Sequence, residues 1–166
     1  RARTLVPLAP FASLHASARV GALHSWRADV ATHGSHLPDR FMVGGPNSIR
    51  GFEEGGIGPR DANTGDALGG KYFYTGTAEV SYPIPGLPKE LPVFGKGFID
   101  VGSLWGKADD SSLFNILDSQ KMRVASGVGV QWVSPFGPIR LDYAWVIQKE
   151  AWDRTENLRV GFGTRF

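Results

Sequence analysis

Residues 122–148 read MRVASGVGVQWVSPFGPIRLDYAWVIQ. Met122, Val124, Val128, Val130 and Trp132 fall on one side of an extended chain, and Arg123, Gly127, Gly129 and Gln131 fall on the other. After the Pro/Gly turn at Ser134–Gly137 the pattern resumes. Ile139, Leu141, Tyr143, Trp145 and Ile147 share a face opposite Arg140, Asp142 and Gln148. A two-residue period is the mark of a strand with one apolar and one polar face. The tight turn between the two runs makes them an antiparallel hairpin.

The same alternation extends in both directions. Leu158, Val160, Phe162, Thr164 and Phe166 oppose Arg159, Gly161, Gly163 and Arg165. Ile99, Val101 and Trp105 oppose Lys96 and Asp100. Tyr72, Tyr74, Ala78, Val80, Tyr82 and Ile84 oppose Lys71, Thr75, Thr77, Glu79 and Ser81. Near the start, Leu14, Ala16, Ala18, Val20 and Ala22 oppose Ser13, His15, Ser17, Arg19 and Ser25. Strands are therefore expected at about 11–27, 70–84, 93–106, 121–133, 138–149 and 157–166.

These strands are long. An ordinary strand has roughly 5–6 residues, whereas ten residues rise about 33 Å, or about 25 Å when tilted, which matches the apolar band of an outer-membrane barrel. Tyr72, Tyr82, Trp105, Trp132 and Trp145 lie near strand ends, where barrels carry aromatic girdles. A soluble antiparallel sandwich also alternates, with its apolar face as a core. Connection lengths favour the barrel. Ser134–Gly137 and Pro83–Pro92 are short, whereas Gly106–Lys121, Lys149–Glu156 and the segment 28–69 are long and polar. Short turns at one end and long loops at the other are the bacterial layout, with the C-terminus on the periplasmic side. The fold expected is all-β, an antiparallel transmembrane β-barrel. Six strands are too few to close one. Earlier strands are expected in a longer chain, and this piece, with open edges and an uncovered lipid face, is not expected to fold alone.

Composition narrows the function. The 166 residues include 18 Lys+Arg against 16 Asp+Glu, with no basic run of the kind that binds nucleic acid. There is no Cys, hence no disulfide and no Cys-based metal or redox site. No apolar stretch is long enough for a transmembrane helix. His15, His24, His33 and His36 do not fall two to a face beside a carboxylate, so no metal is expected. Gly127-Val-Gly129 sits mid-strand with no helix after it and is not a phosphate loop. No nucleophile motif is present. The chain is not expected to be an enzyme or to need a cofactor.

The segment 39–70, DRFMVGGPNSIRGFEEGGIGPRDANTGDALGG, is long, glycine-dense and without an obvious strand of its own, which points to function or disorder. On residue type alone Arg50 is either a solvated loop charge or a buried partner. Glu53, Glu54, Asp109 and Asp110 read as solvated. GGPNSIRGF (44–52), GIGPRD (56–61), LGGKYFYTGTAEVSYPIP (68–85), GFIDVGSLWG (97–106), VASGVGVQWVSPFGPIRLDYAW (124–145) and the terminal Phe166 together resemble the BamA family of outer-membrane assembly barrels. The wording is most similar to alphaproteobacterial members.

The resemblance implies a sixteen-stranded outer-membrane barrel with N-terminal POTRA domains, of which this chain would hold the last six strands. It makes Ile49, Arg50, Gly51 and Phe52 the family's Val/Ile-Arg-Gly-Phe tetrad, on an extracellular loop that folds back into the barrel. It assigns Glu79 and Asp100 as lumen partners of Arg50. It makes the last strand, with Leu158, Val160, Gly161, Phe162, Gly163 and Phe166, one side of a lateral gate where client strands add by edge pairing. Gly161 and Gly163 either let that strand kink or leave room in the lumen. Phe166 is similar to the terminal aromatic of barrel assembly signals, although Thr164 departs from the apolar residue expected two positions earlier. The partners implied are the outer-membrane lipid bilayer, unfolded β-barrel clients, accessory lipoproteins and periplasmic chaperones. Three related barrels remain open: a two-partner secretion transporter, a TamA-like translocation barrel, against which Phe52 leans, and a mitochondrial sorting-and-assembly barrel. A passive porin would not need the tetrad.

Overall fold

The computed structural model describes residues 2–9, 12–24, 39–87, 92–106, 115–135 and 137–162. Seven strands form one antiparallel sheet: β1 (Ala2–Ala9), β2 (Ala12–Ala22), β5 (Tyr72–Pro83), β6 (Val93–Trp105), β8 (Arg123–Ser134), β9 (Gly137–Gln148) and β11 (Leu158–Phe162). Each pairs with its neighbours in chain order. Four two-residue strands lie in the long connections: β3 (Gly51–Phe52), β4 (Arg60–Asp61), β7 (Ile116–Leu117) and β10 (Thr155–Glu156). The connections β2–β5, β6–β8 and β9–β11 leave one end of the sheet, and the short turns β1–β2, β5–β6 and β8–β9 close the other.

Two expectations need correction. The sheet has seven strands where the alternation shows six, because β1 precedes them. In β1 the register slips between Pro7 and Ala9. Proline cannot donate to a ladder and is confined to edges and bulges, so the segment 2–9 reads poorly as a strand although it forms the sheet's edge. The segment 28–69 also carries strands of its own, β3 and β4. Each borrows its partner from another connection, which no local pattern reveals. The final strand is described to Phe162, so Gly163, Thr164 and Phe166 lie outside the described residues, as do His33, His36, Asp109 and Asp110.

The two faces separate as the alternation requires. Val128, Val130, Trp132, Leu141, Tyr143, Trp145, Ile147, Leu158, Val160 and Phe162 are exposed on one face. Tyr72 stacks beside Trp105 at the long-connection end, while Tyr82 and Trp132 lie toward the short turns. The opposite, inner face carries Lys96, Asp100 and Arg123, all buried. The apolar core lies between this inner face and the 39–70 segment. Val43, Ile49, Phe52 and Ile57 from the segment pack on Leu104 of β6 and Ala125 of β8. Two miniature sheets hold the segment down, β3 on β10 and β4 on β7.

Candidate functional site at the inner wall

Arg50 lies on the inner face of the sheet. Its Nε donates to Asp100 Oδ2 at 2.8 Å and its Nη2 to Asp100 Oδ1 at 3.0 Å. Its backbone N–H also reaches Asp100 Oδ2, at 3.0 Å. Nη1 pairs with Glu79 Oε2. The guanidinium carbon sits 3.5 Å from the ring centroid of Phe98. A planar fork meeting a carboxylate through two donors is the strong form of this interaction, and a ring face beneath a desolvated cation adds to it. Burial by itself would push the Arg50 pKa down. Hydrogen bonds and charge from Asp100, then Glu79, outweigh that and leave it raised.

The backbone explains how the cation arrives there. Asp100 and Phe98 sit on β6 and Glu79 on β5, each pointing inward by the strand period, and Asp100 is 0% exposed. Ile49 fills a recess left by Gly102, where a Cβ would stand 2.8 Å from Ile49 Cδ1. Gly51 has φ +87°, and a Cβ there would stand 3.1 Å from Val146 Cγ2 and 3.2 Å from Ala144 Cβ. Only glycine combines that dihedral with so close an approach to the wall. Phe52 is buried in the apolar cluster. All four tetrad residues thus touch the wall, each by a different means.

Elsewhere the loop is stapled to itself. Arg60 donates to Gly65 O at 2.9 Å and to Gly55 O at 2.8 Å. Its pKa is lowered, first by burial and then by the charge of Arg154. Glu53 and Glu54 are exposed. His15 lies opposite Glu79 in the β2–β5 register. His15, Arg3, Arg19, Arg50, Glu79 and Arg140 border a recess of about 250 Å³ on the inner face. Leu158, Val160 and Phe162 face outward from β11. Gly161 faces inward, and a Cβ there would meet only Arg140 Cβ, at 3.9 Å.

Sequence reading missed three features. Phe98 breaks the polar inner face of its strand, and it fits because β8 opposite offers Gly127, where a Cβ would stand 2.4 Å from Phe98 Cζ. Lys96 reaches across β8 to Asp142 at 2.9 Å, over Gly129. Arg123 pairs with Asp153, both fully buried. A bulky aromatic or a paired charge opposite a strand glycine was a signal available in the sequence. The Arg123–Asp153 pair, thirty positions apart with one partner in a loop, was not.

An Omp85 superfamily domain matches residues 1–166. The chain belongs to the Omp85 superfamily. It is 39% identical over 133 residues to the outer membrane protein assembly factor BamA of Neorickettsia risticii, covering 80% of this chain and 17% of that protein. It is 31% identical over 158 residues to a SAM50-like protein of Schizosaccharomyces pombe, covering 93% of this chain and 32% of that one. The crystal structure of BamA from Haemophilus ducreyi lacking POTRA domains 1–3 superposes with a TM-score of 0.77 at 24% identity, over 95% of this chain and 32% of that chain. The chain therefore spans under a third of the length of these Omp85 relatives. The BamA resemblance read from the tetrad and its flanking strands is met by these relatives, and the alphaproteobacterial cast fits the Neorickettsia match. The sheet is a segment of an outer-membrane β-barrel.

Proposed function

We propose that the protein containing this chain assembles β-barrel proteins in the outer membrane and that the tetrad loop keeps its barrel in working form. The observation that carries this reading is Arg50, held by Asp100, Glu79 and Phe98 on the inner wall. A passive pore has no need of such an anchor across its lumen. The names of the BamA relatives support the assembly role. A loop fixed there narrows the lumen, which favours a route for clients at the side of the barrel over a route through it.

In this reading β11 is one side of a lateral gate. Its described part is Leu158–Phe162, and its only partner among the described residues is β9. An edge strand offers unpaired N–H and C=O groups to an incoming strand. Each backbone bond formed in lipid removes an expensive unsatisfied group, so the client's own folding supplies the driving force. The partners proposed are the bilayer, unfolded barrel clients, accessory lipoproteins and periplasmic chaperones. No catalytic chemistry is required.

The test uses the full-length parent in its own host. It is depleted, heat-modifiable porins in the outer membrane are followed, and wild type or Arg50→Ala is supplied. The expected result is loss of many unrelated barrels on depletion and poor rescue by Arg50→Ala. Normal barrel assembly with loss of one secreted protein would instead make the parent a dedicated transporter.

A further inference from the structure

We propose that Arg123 and Asp153 are positioning residues for the tetrad. They clamp the β9–β11 connection to the wall, and that connection holds the tetrad from its other side. Arg123 Nε donates to Asp153 Oδ2 at 2.9 Å and Nη2 to Oδ1 at 3.3 Å. Nη1 is shared among Ser103 Oγ at 3.3 Å, Ser119 O at 2.8 Å and Lys121 O at 2.7 Å. Asp153 Oδ2 also accepts the Glu150 N–H at 2.8 Å. Both side chains are 0% exposed. One guanidinium on β8 thus gathers β6, the β6–β8 connection and the β9–β11 connection.

The residues after Asp153 carry the consequence. Arg154 O accepts the Glu53 N–H at 3.1 Å, and the Arg154 N–H donates to Gly56 O at 3.0 Å. Thr155 pairs with Phe52 and Glu156 with Gly51. Asn157 O accepts the Ala144 N–H at 2.8 Å, and β11 begins at Leu158. Within six residues the chain runs from the clamp, along the tetrad, into the last strand. The tetrad is therefore anchored twice: by the Arg50 side chain to β5 and β6, and by its own backbone to a connection fixed at Asp153.

A buried ion pair seldom adds net stability over apolar packing, because desolvation offsets its attraction. What it does supply is geometry, since an arginine fork satisfies acceptors from several segments only in one arrangement. That is the property a clamp needs. The inference rests on the role proposed above for the tetrad loop.

The test is made in the full-length parent in its native outer membrane, with any cysteines elsewhere replaced. Glu53→Cys and Arg154→Cys, both at exposed positions of facing segments, report docking through the ratio of disulfide to maleimide-alkylated protein when oxidant and maleimide compete. With the clamp intact the disulfide dominates. Asp153→Asn is expected to lower the ratio about tenfold or more, and Arg123→Lys to lower it as well, because lysine keeps the charge and loses the fork. An unchanged ratio in folded, heat-modifiable Asp153→Asn protein overturns the proposal. If Asp153→Asn prevents folding, the same cysteine pair is added to it. Recovery of the folded form on oxidation supports the clamp, and no recovery overturns it. The ratio is read on the parent itself, so it decides the clamp even where the assembly role proposed above fails.

Discussion

The tetrad loop and the last strand lie side by side and are held in opposite ways. Around Arg50 most contacts are enclosed: Asp100 accepts three hydrogen bonds, Ile49 and Phe52 are buried, and Gly51 lies against the wall. Along β11 the apolar side chains are exposed, Phe162 to 77%, and the backbone is paired with β9 alone among the described residues. Local stability follows enclosure and bond count, so one protein holds parts that open at very different cost. On the reading proposed above, the loop is the rigid element of the barrel and the last strand the yielding one. The short β10 joins them, pairing with the tetrad and leading directly into β11.

The sharpest way to break this contrast is Arg50→Ala. It leaves Asp100 buried without its cation, and loop docking should weaken by about 3–5 kcal/mol. Protease treatment of intact cells carrying the full-length parent should then cut within 39–70, where wild type resists. Resistance in the variant would mean that the apolar cluster alone holds the loop. Gly51→Ala comes next. Its added methyl group meets Ala144 and Val146 in a left-handed backbone conformation, at a cost of about 1–3 kcal/mol. The same protease assay should show partial release. Phe98→Leu removes the ring beneath Arg50 and underfills the space over Gly127, for a loss of about 1–2 kcal/mol. A urea midpoint for the folded parent that does not move would remove Phe98 from the anchor.

Gly161→Ala should act in the other direction and least of all. Its Cβ has room, so the substitution should stiffen β11 and stabilise it by about 0.4–1 kcal/mol. If β11 must yield to admit clients, assembly slows while the urea midpoint holds or rises. Unchanged client assembly would leave Gly161 as a space-filling choice only.

The hairpin 122–148 shows how much was legible. Every apolar position named on it from Val128 to Ile147 that is exposed lies on the face its alternation assigns, because the strand period is 2 and does not depend on what the strand pairs with. Glu79 and Asp100 were legible as inward residues for the same reason. β1 was not, because Pro7 and the slipped register break the pattern that identifies a strand. β3, β4, β7 and β10 were not, because a two-residue strand has no period of its own and exists only where a partner from a distant connection is brought beside it.

Read along the chain alone, the residues showed which faces of the long strands are apolar and roughly where the long connections fall. These follow from side-chain alternation and residue type, which are properties of the chain at short range. Which side chains meet is set by the three-dimensional fold, and the partners of Arg50 were named by the family resemblance and by no local pattern. Arg50 spans 50 positions to Asp100, and Arg123 spans 30 to Asp153. Phe98 and Lys96 find room only because glycines occupy the strand beside them. Strand pairing and the folding of the long loop onto the inner face bring these groups together, and no local rule encodes a distance across that space.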